Sequence, residues 1–208
     1  MKKIMIISLT FMLSIGAQAQ DNFAFWKADR EYAENAFSIN TAGPIPSVGF
    51  QFDRQLSKKA TVSVFYGEAN PIDGIEIDVN NVTYTGEFAA ESSWSGVILS
   101  YRPIETLQAF RVSGGIGVGS LNGFLDDPEG NSYHWHDGGA FTFTGIGYGN
   151  RPVKGLRLGV DIGVIKTGGG SVSSNGLTME SGARTFDLQS DFAGGWYPNL
   201  QFTAGWGF

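Results

Sequence analysis

"NLQFTAGWGF" (residues 199–208) ends the chain. Leu200, Phe202, Ala204, Trp206 and Phe208 are apolar, and Gln201, Thr203, Gly205 and Gly207 between them are polar or tiny. A period of two is the mark of a strand with one apolar face. The pattern alone does not say where that face points. Packed inward it would make a soluble sandwich. Turned outward it would meet hydrocarbon.

The same alternation recurs upstream. "SVGFQFDRQL" sets Val48, Phe50 and Phe52 against Gly49, Gln51, Asp53 and Gln55. "ATVSVFYGE" sets Val62, Val64 and Tyr66 against Thr61, Ser63 and Gly67. "AFRVSGGIGVGS" sets Phe110, Val112, Ile116 and Val118 against Arg111, Ser113, Gly115, Gly117 and Gly119. "LRLGVDIGV" sets Leu156, Leu158, Val160, Ile162 and Val164 against Arg157, Gly159, Asp161 and Gly163. "SSWSGVILSYRP" is less regular, because Trp94 is out of phase with Val97, Leu99 and Tyr101. "AFTFTGIGYGN" changes phase between Phe143 and Ile146, which a bulge near Gly145 would repair. "NAFSINTAG" is a weak first strand, and the total is eight.

Composition agrees with a two-faced sheet. Charged residues are 16% of the 208, against about 25% in ordinary soluble domains. Mean hydropathy is nonetheless only −0.06. The absence of cysteine excludes disulfides, thiolate-ligated zinc and cysteine nucleophiles. Residues 1–19 have Lys2 and Lys3, an apolar run from Ile4 to Ile15, and a small-x-small site at Ala17-Gln18-Ala19. This reads as a cleaved signal peptide, too short to span a bilayer. Without it, 12 basic residues face 20 acidic ones, a net charge of −8, which argues against nucleic acid as a partner. Residues 20–34 are then a periplasmic lead-in, and 35–208 the folded unit.

The connectors fix the orientation. "SKK", "IETLQ" and "PVKG" are short, and three long connectors alternate with them. Short turns on the periplasmic side and long loops outside are the habit of bacterial outer-membrane barrels. One face of each strand is bulky and the other is crowded with glycine, so the bulky face is expected to meet lipid. The fold class expected is all-β: an eight-stranded antiparallel transmembrane β-barrel. Counting "TFDLQSDFAGGW" and "NFAFWKAD" as strands gives a ten-stranded alternative.

On these residues the chain resembles the small Gram-negative outer-membrane barrels of the OmpA-like, OmpX-like and OmpW-like group, over roughly residues 35–208. The Lys-Lys signal, the eight-strand plan and the terminal "FTAGWGF" carry the resemblance. It implies that Phe202, Trp206 and Phe208 form a C-terminal insertion signal read by the barrel-assembly machinery. It also implies an outer-membrane location and contact with membrane lipid and lipopolysaccharide. A monomer is expected.

Four charges lie on the polar phase of their strands: Asp53, Arg111, Arg157 and Asp161. An eight-stranded barrel is just wide enough for side chains to fill it. Buried charges must pair, so these four are expected to form a lumen network, with Arg102 and Gln201 placed to join. Tyr66, Tyr101, Tyr148, Trp196 and Tyr197 sit near strand ends and suit an aromatic girdle. The glycines of "GGIGVGS" alternate within a strand and read as lumen positions rather than a phosphate loop. "HWHD" brings His134, His136 and Asp137 together in an expected external loop, and a solvated loop is preferred there to a metal site. The acidic stretch from Glu68 to Asp78 does not match a calcium-loop spacing. No cofactor, metal or catalytic residue is expected.

The function expected is a non-catalytic integral barrel with surface loops in a structural or interaction role. A small-solute, porin-like channel is the alternative. A lipid A-modifying enzyme is a distant third, since only Ser132 near His134 suggests a nucleophile and the spacing is reversed from the usual pattern.

Overall fold

The computed structural model describes residues 31–41, 47–69, 72–88, 91–175, 182–185, 188 and 195–208. Residues 1–30, with the expected signal peptide and most of the lead-in, lie outside the described residues, as does "NFAFWKAD". The strands are β1 (Asn35–Asn40), β2 (Ser47–Gln55), β3 (Ala60–Ala69), β4 (Ile72–Val79), β5 (Val82–Phe88), β6 (Ser92–Tyr101), β7 (Phe110–Asp126), β8 (Ser132–Gly149), β9 (Gly155–Lys166), β10 (Ser171–Ser174) and β11 (Trp196–Gly207).

Eight of these form a closed antiparallel barrel in the order β1, β2, β3, β6, β7, β8, β9, β11. Closure comes from β11 returning to β1, with Trp206 opposite Phe37 and Ala204 opposite Ile39. At the short-turn end, Phe208 N donates to Asn35 O at 2.9 Å and Asn35 N to Phe208 O at 3.1 Å. The barrel is therefore eight-stranded, and the ten-strand alternative is set aside. β4, β5 and β10 lie outside the wall.

The alternating faces resolve outward. Ile116 is 67% exposed and Phe202 is 52% exposed, and Phe37, Ile39, Phe50, Val64, Leu99, Ile162 and Leu200 join them around the exterior. Soluble monomers rarely expose a continuous apolar belt of this kind. The opposite phase, with Asp53, Arg111, Arg157, Asp161 and Gln201, is buried in the lumen.

Three expectations change. First, β8 has no bulge at Gly145. Its register with β7 runs unbroken from Phe110 opposite Tyr148 to Asp126 opposite Ser132. Phe141 and Phe143 point into the lumen, while Ile146 faces outward, so the phase change is a change of packing partner. Trp94 is likewise a lumen residue.

Second, the connector from residue 70 to 91 is largely a hairpin of β4 and β5. It turns at Asn80 and Asn81, with φ of 50° and 64°, the left-handed pair of a two-residue hairpin turn. Third, the "HWHD" stretch lies on β8. β7 and β8 have 17 and 18 residues and outrun the barrel rim together. Above the rim they gain new neighbours: β5 pairs with residues 123–126 of β7, and β10 with residues 133–136 of β8. The result is a five-stranded external sheet, β4-β5-β7-β8-β10.

Phe202 lies midway along β11. Phe202→Arg is expected to destabilise the folded barrel by about 2–4 kcal/mol, the cost of a charge on the lipid face at the bilayer midplane. Urea titration of protein refolded in lipid vesicles measures it, and an unchanged midpoint would place the side chain away from lipid.

Candidate functional site

The lumen has a charged floor and an aromatic upper storey. At the floor, Arg157 on β9 places Nη2 2.9 Å from Asp53 Oδ2 on β2. Arg111 on β7 forms an ion pair with Asp161 on β9. Arg157 and Asp161 are four apart on one strand and so share its inner face. All four side chains are at least nine-tenths buried.

Amides extend the network around the wall. Gln51 Nε2 donates to Asp53 Oδ1 at 2.6 Å, and Gln51 Oε1 accepts from Asn40 Nδ2 at 2.9 Å and from Gln201 Nε2 at 3.2 Å. Arg102, only 2% exposed, donates from Nη1 to Thr61 Oγ1 at 2.8 Å and from Nη2 to Asn150 O at 3.0 Å. The turn after β8 supplies the remaining acceptors. Gly149 and Asn150 have φ of 85° and 50°. Gly149 O accepts from Arg111 at 2.8 Å, and Asn150 O accepts from Arg157 at 3.0 Å as well as from Arg102. A side chain at residue 149 would be strained twice, by that φ and by a Cβ only 2.2 Å from Leu158 O.

Glycine makes room for these groups. A Cβ on Gly147 would lie 2.0 Å from Asp161 Oδ1 and 2.9 Å from Arg111 Nε. In the upper storey, Phe65, Trp94, Phe141, Phe143 and Ile165 pack together, with Trp94 edge-on to Phe141 at 5.1 Å between centroids. A Cβ on Gly117 would meet Phe141 at 2.5 Å, and one on Gly163 would meet Phe143 at 2.6 Å. An open groove of about 860 Å³ lined by Val64, Ile116 and Val118 also touches Phe65 and Phe141, and among the described residues each storey holds in addition a cavity of about 20 Å³. That is room for roughly one water molecule.

Above the rim, Asp127 organises the hairpin tip. Its carboxylate accepts from Asn131 Nδ2 at 2.8 Å, Tyr133 Oη at 2.9 Å and Arg184 Nη1 at 2.6 Å, and Arg184 also pairs with Glu129. Burial pushes the Asp127 carboxyl up, but the bonds from Asn131, Arg184 and Tyr133 outweigh it and hold the group well below the usual carboxylate range. Tyr133 is pushed upward by burial and by its bond to that carboxylate. Arg184 is held more firmly protonated by Glu129 and Asp127. On the inner side, Thr167 Oγ1 donates to Asp137 Oδ2 at 2.6 Å.

The aromatic positions divide. Tyr66, Tyr101 and Trp196 face outward near strand ends, and Tyr148 faces outward half-buried. Tyr197 does not belong to that girdle. It turns inward, hydrogen-bonds Asp137 and lies 6.1 Å from the Trp135 ring, because odd-numbered residues of β11 face the lumen. Phe202, Trp206 and Phe208 are all exposed on the outer face. His134 and His136 share the outer face of the external sheet, one stacked on Phe124 at 4.7 Å and the other with Nδ1 2.6 Å from Asn122 Oδ1. Asp137 is on the opposite face, and among the described residues no His, Asp and Glu side chains group as a metal site.

A closed eight-stranded antiparallel barrel with an apolar exterior and a filled polar interior is the architecture of the small bacterial outer-membrane barrels. Among solved structures, the chain is similar to CarO of Acinetobacter baumannii, with 14% identity, a TM-score of 0.60, and coverage of 85% of this chain and 98% of that one. It is also similar to CarO2 of the same organism, with 13% identity, a TM-score of 0.56, and coverage of 86% and 100%. At these identities the likeness is one of fold. No protein-family model matches the chain, and no curated protein matches its sequence.

Removing one partner of a buried ion pair leaves the other charge uncompensated. Asp161→Leu is therefore expected to cost about 3–5 kcal/mol, with much of the loss recovered in the double variant Asp161→Leu, Arg111→Met. Heat-dependent gel migration of the refolded proteins reads both. Outside the membrane, the depressed Asp127 carboxyl contributes stability that is complete above the ordinary carboxylate range and is lost as pH falls below about 4. The difference in unfolding temperature between the native protein and Asp127→Asn should be largest at neutral pH and shrink on acidification.

Proposed function

We propose that the protein is a non-catalytic resident of the bacterial outer membrane, exported with loss of residues 1–19, that acts through its external sheet. Its lumen is closed to solutes. The observation that carries this reading is the filled interior: two buried ion pairs at the floor, packed rings above them, and cavities of about 20 Å³. The apolar belt supports the location, since only a closed sheet can satisfy its backbone in hydrocarbon.

In the same reading, the belt contacts membrane lipid and lipopolysaccharide, and the assembly machinery recognises the outward row of Phe202, Trp206 and Phe208. The protein works as a monomer. The external sheet presents Glu76, Asp78, Glu87 and Asp126 beside the stacked Phe124 and His134. This mixed acidic and aromatic surface is the part available to a partner. Against an enzymatic role stands the use already made of the imidazoles, which are engaged by Phe124 and Asn122.

Purified outer membranes should contain the protein in a form whose gel migration changes on boiling. Reconstituted in planar bilayers, it should give no stepwise conductance. Reproducible steps from the purified protein would establish the channel reading in its place.

A further inference from the structure

We propose that the lumen floor is a binding site for one small monovalent anion with the size and charge of chloride. The cavity of about 20 Å³ there is faced by three guanidiniums, Arg102, Arg111 and Arg157, and by two carboxylates, Asp53 and Asp161. Two of the cations are matched, Arg157 by Asp53 and Arg111 by Asp161. Among the described residues, the hydrogen bonds of Arg102 go to neutral oxygens, Thr61 Oγ1 and Asn150 O, and the carboxylate whose charge also acts on it, Asp53, is already paired with Arg157. Among the described residues its Nε has no hydrogen-bond partner although the residue is only 2% exposed, and the same holds for Arg157 Nε at 4%.

Arginine does not shed its proton to escape burial. Nor does the third cation reach solvent: Arg102 follows β6 at the short-turn end, yet its side chain is turned inward and the residue is only 2% exposed. A lone buried charge is very costly, so the floor calls for one negative charge. The cavity limits what can supply it. One atom-sized anion fits, while a carboxylate-bearing or polyatomic ion of several heavy atoms does not. A water molecule would fit the space and satisfy an N–H donor, but would leave the positive charge standing.

The site makes a halide a structural part of the barrel and predicts linkage between halide and stability. Protein purified from outer membranes in detergent is heated in sodium chloride, sodium bromide or sodium gluconate at equal ionic strength. Chloride and bromide should raise the unfolding temperature with a saturating concentration dependence, as mass action requires for a ligand of the folded state. Gluconate, too large to enter, should not. Arg102→Met should abolish the difference between halide and gluconate, which separates a lumen site from a general salt effect. If that variant does not fold, crystals of the native protein grown in bromide decide alone: an anomalous peak within hydrogen-bonding distance of the Arg102 guanidinium supports the site. Identical curves in chloride and gluconate, or a cavity holding water only in the bromide crystals, would overturn it.

Discussion

The governing constraint is the absence of water in the acyl layer. Every backbone amide and carbonyl that crosses it must find a partner within the protein, and a sheet achieves this only by leaving no edge. The six residues of β1 are therefore the critical segment. They pair with β2 on one side and β11 on the other, and so convert a ribbon into a cylinder. The close packing of Gly205 against Ser38, where a Cβ would lie 2.1 Å from Ser38 Oγ, shows how tightly that junction is drawn.

Closure makes a narrow interior, and the interior is then settled by volume and charge. A cylinder of eight strands has an interior just wide enough for side chains to fill, so large side chains cannot face one another across it everywhere. Glycine opposite each ring or ion pair resolves the competition, as Gly117 does for Phe141 and Gly147 does for Asp161. The two storeys also suit their surroundings. Aromatic rings need no partners and can fill space directly. The guanidiniums need many acceptors, and they sit where the tight turn after β8 brings main-chain carbonyls into reach.

The barrel wall was legible in the sequence because lipid on one side and a cramped lumen on the other impose period two on every strand. The inward setting of Asp53, Arg111, Arg157 and Asp161 was legible for the same reason. Their pairing was not, since Asp53 and Arg157 stand on strands separated by β1 and β11 and meet only across the lumen. Trp94, Phe141, Phe143 and Tyr197 were misleading because an aromatic ring suits either face of this wall, and only the glycine on the neighbouring strand tells which. The external strands had a signal that polarity concealed. "IEIDVNNVTYTGEF" alternates on both sides of an Asn-Asn pair, yet its acidic residues give it the composition of a loop.

The uninterrupted course of β7 and β8 from wall to external sheet has a further consequence. At about 3.4 Å per residue, the six or seven positions past the rim raise the hairpin tip roughly 20 Å. The ladder between the two strands has no break, so this outpost is joined to the wall by continuous hydrogen bonding. Its height and bearing are inherited from a cylinder anchored in the membrane. A molecule that docks there meets a preorganised surface, so little of its binding free energy is lost to ordering the receptor.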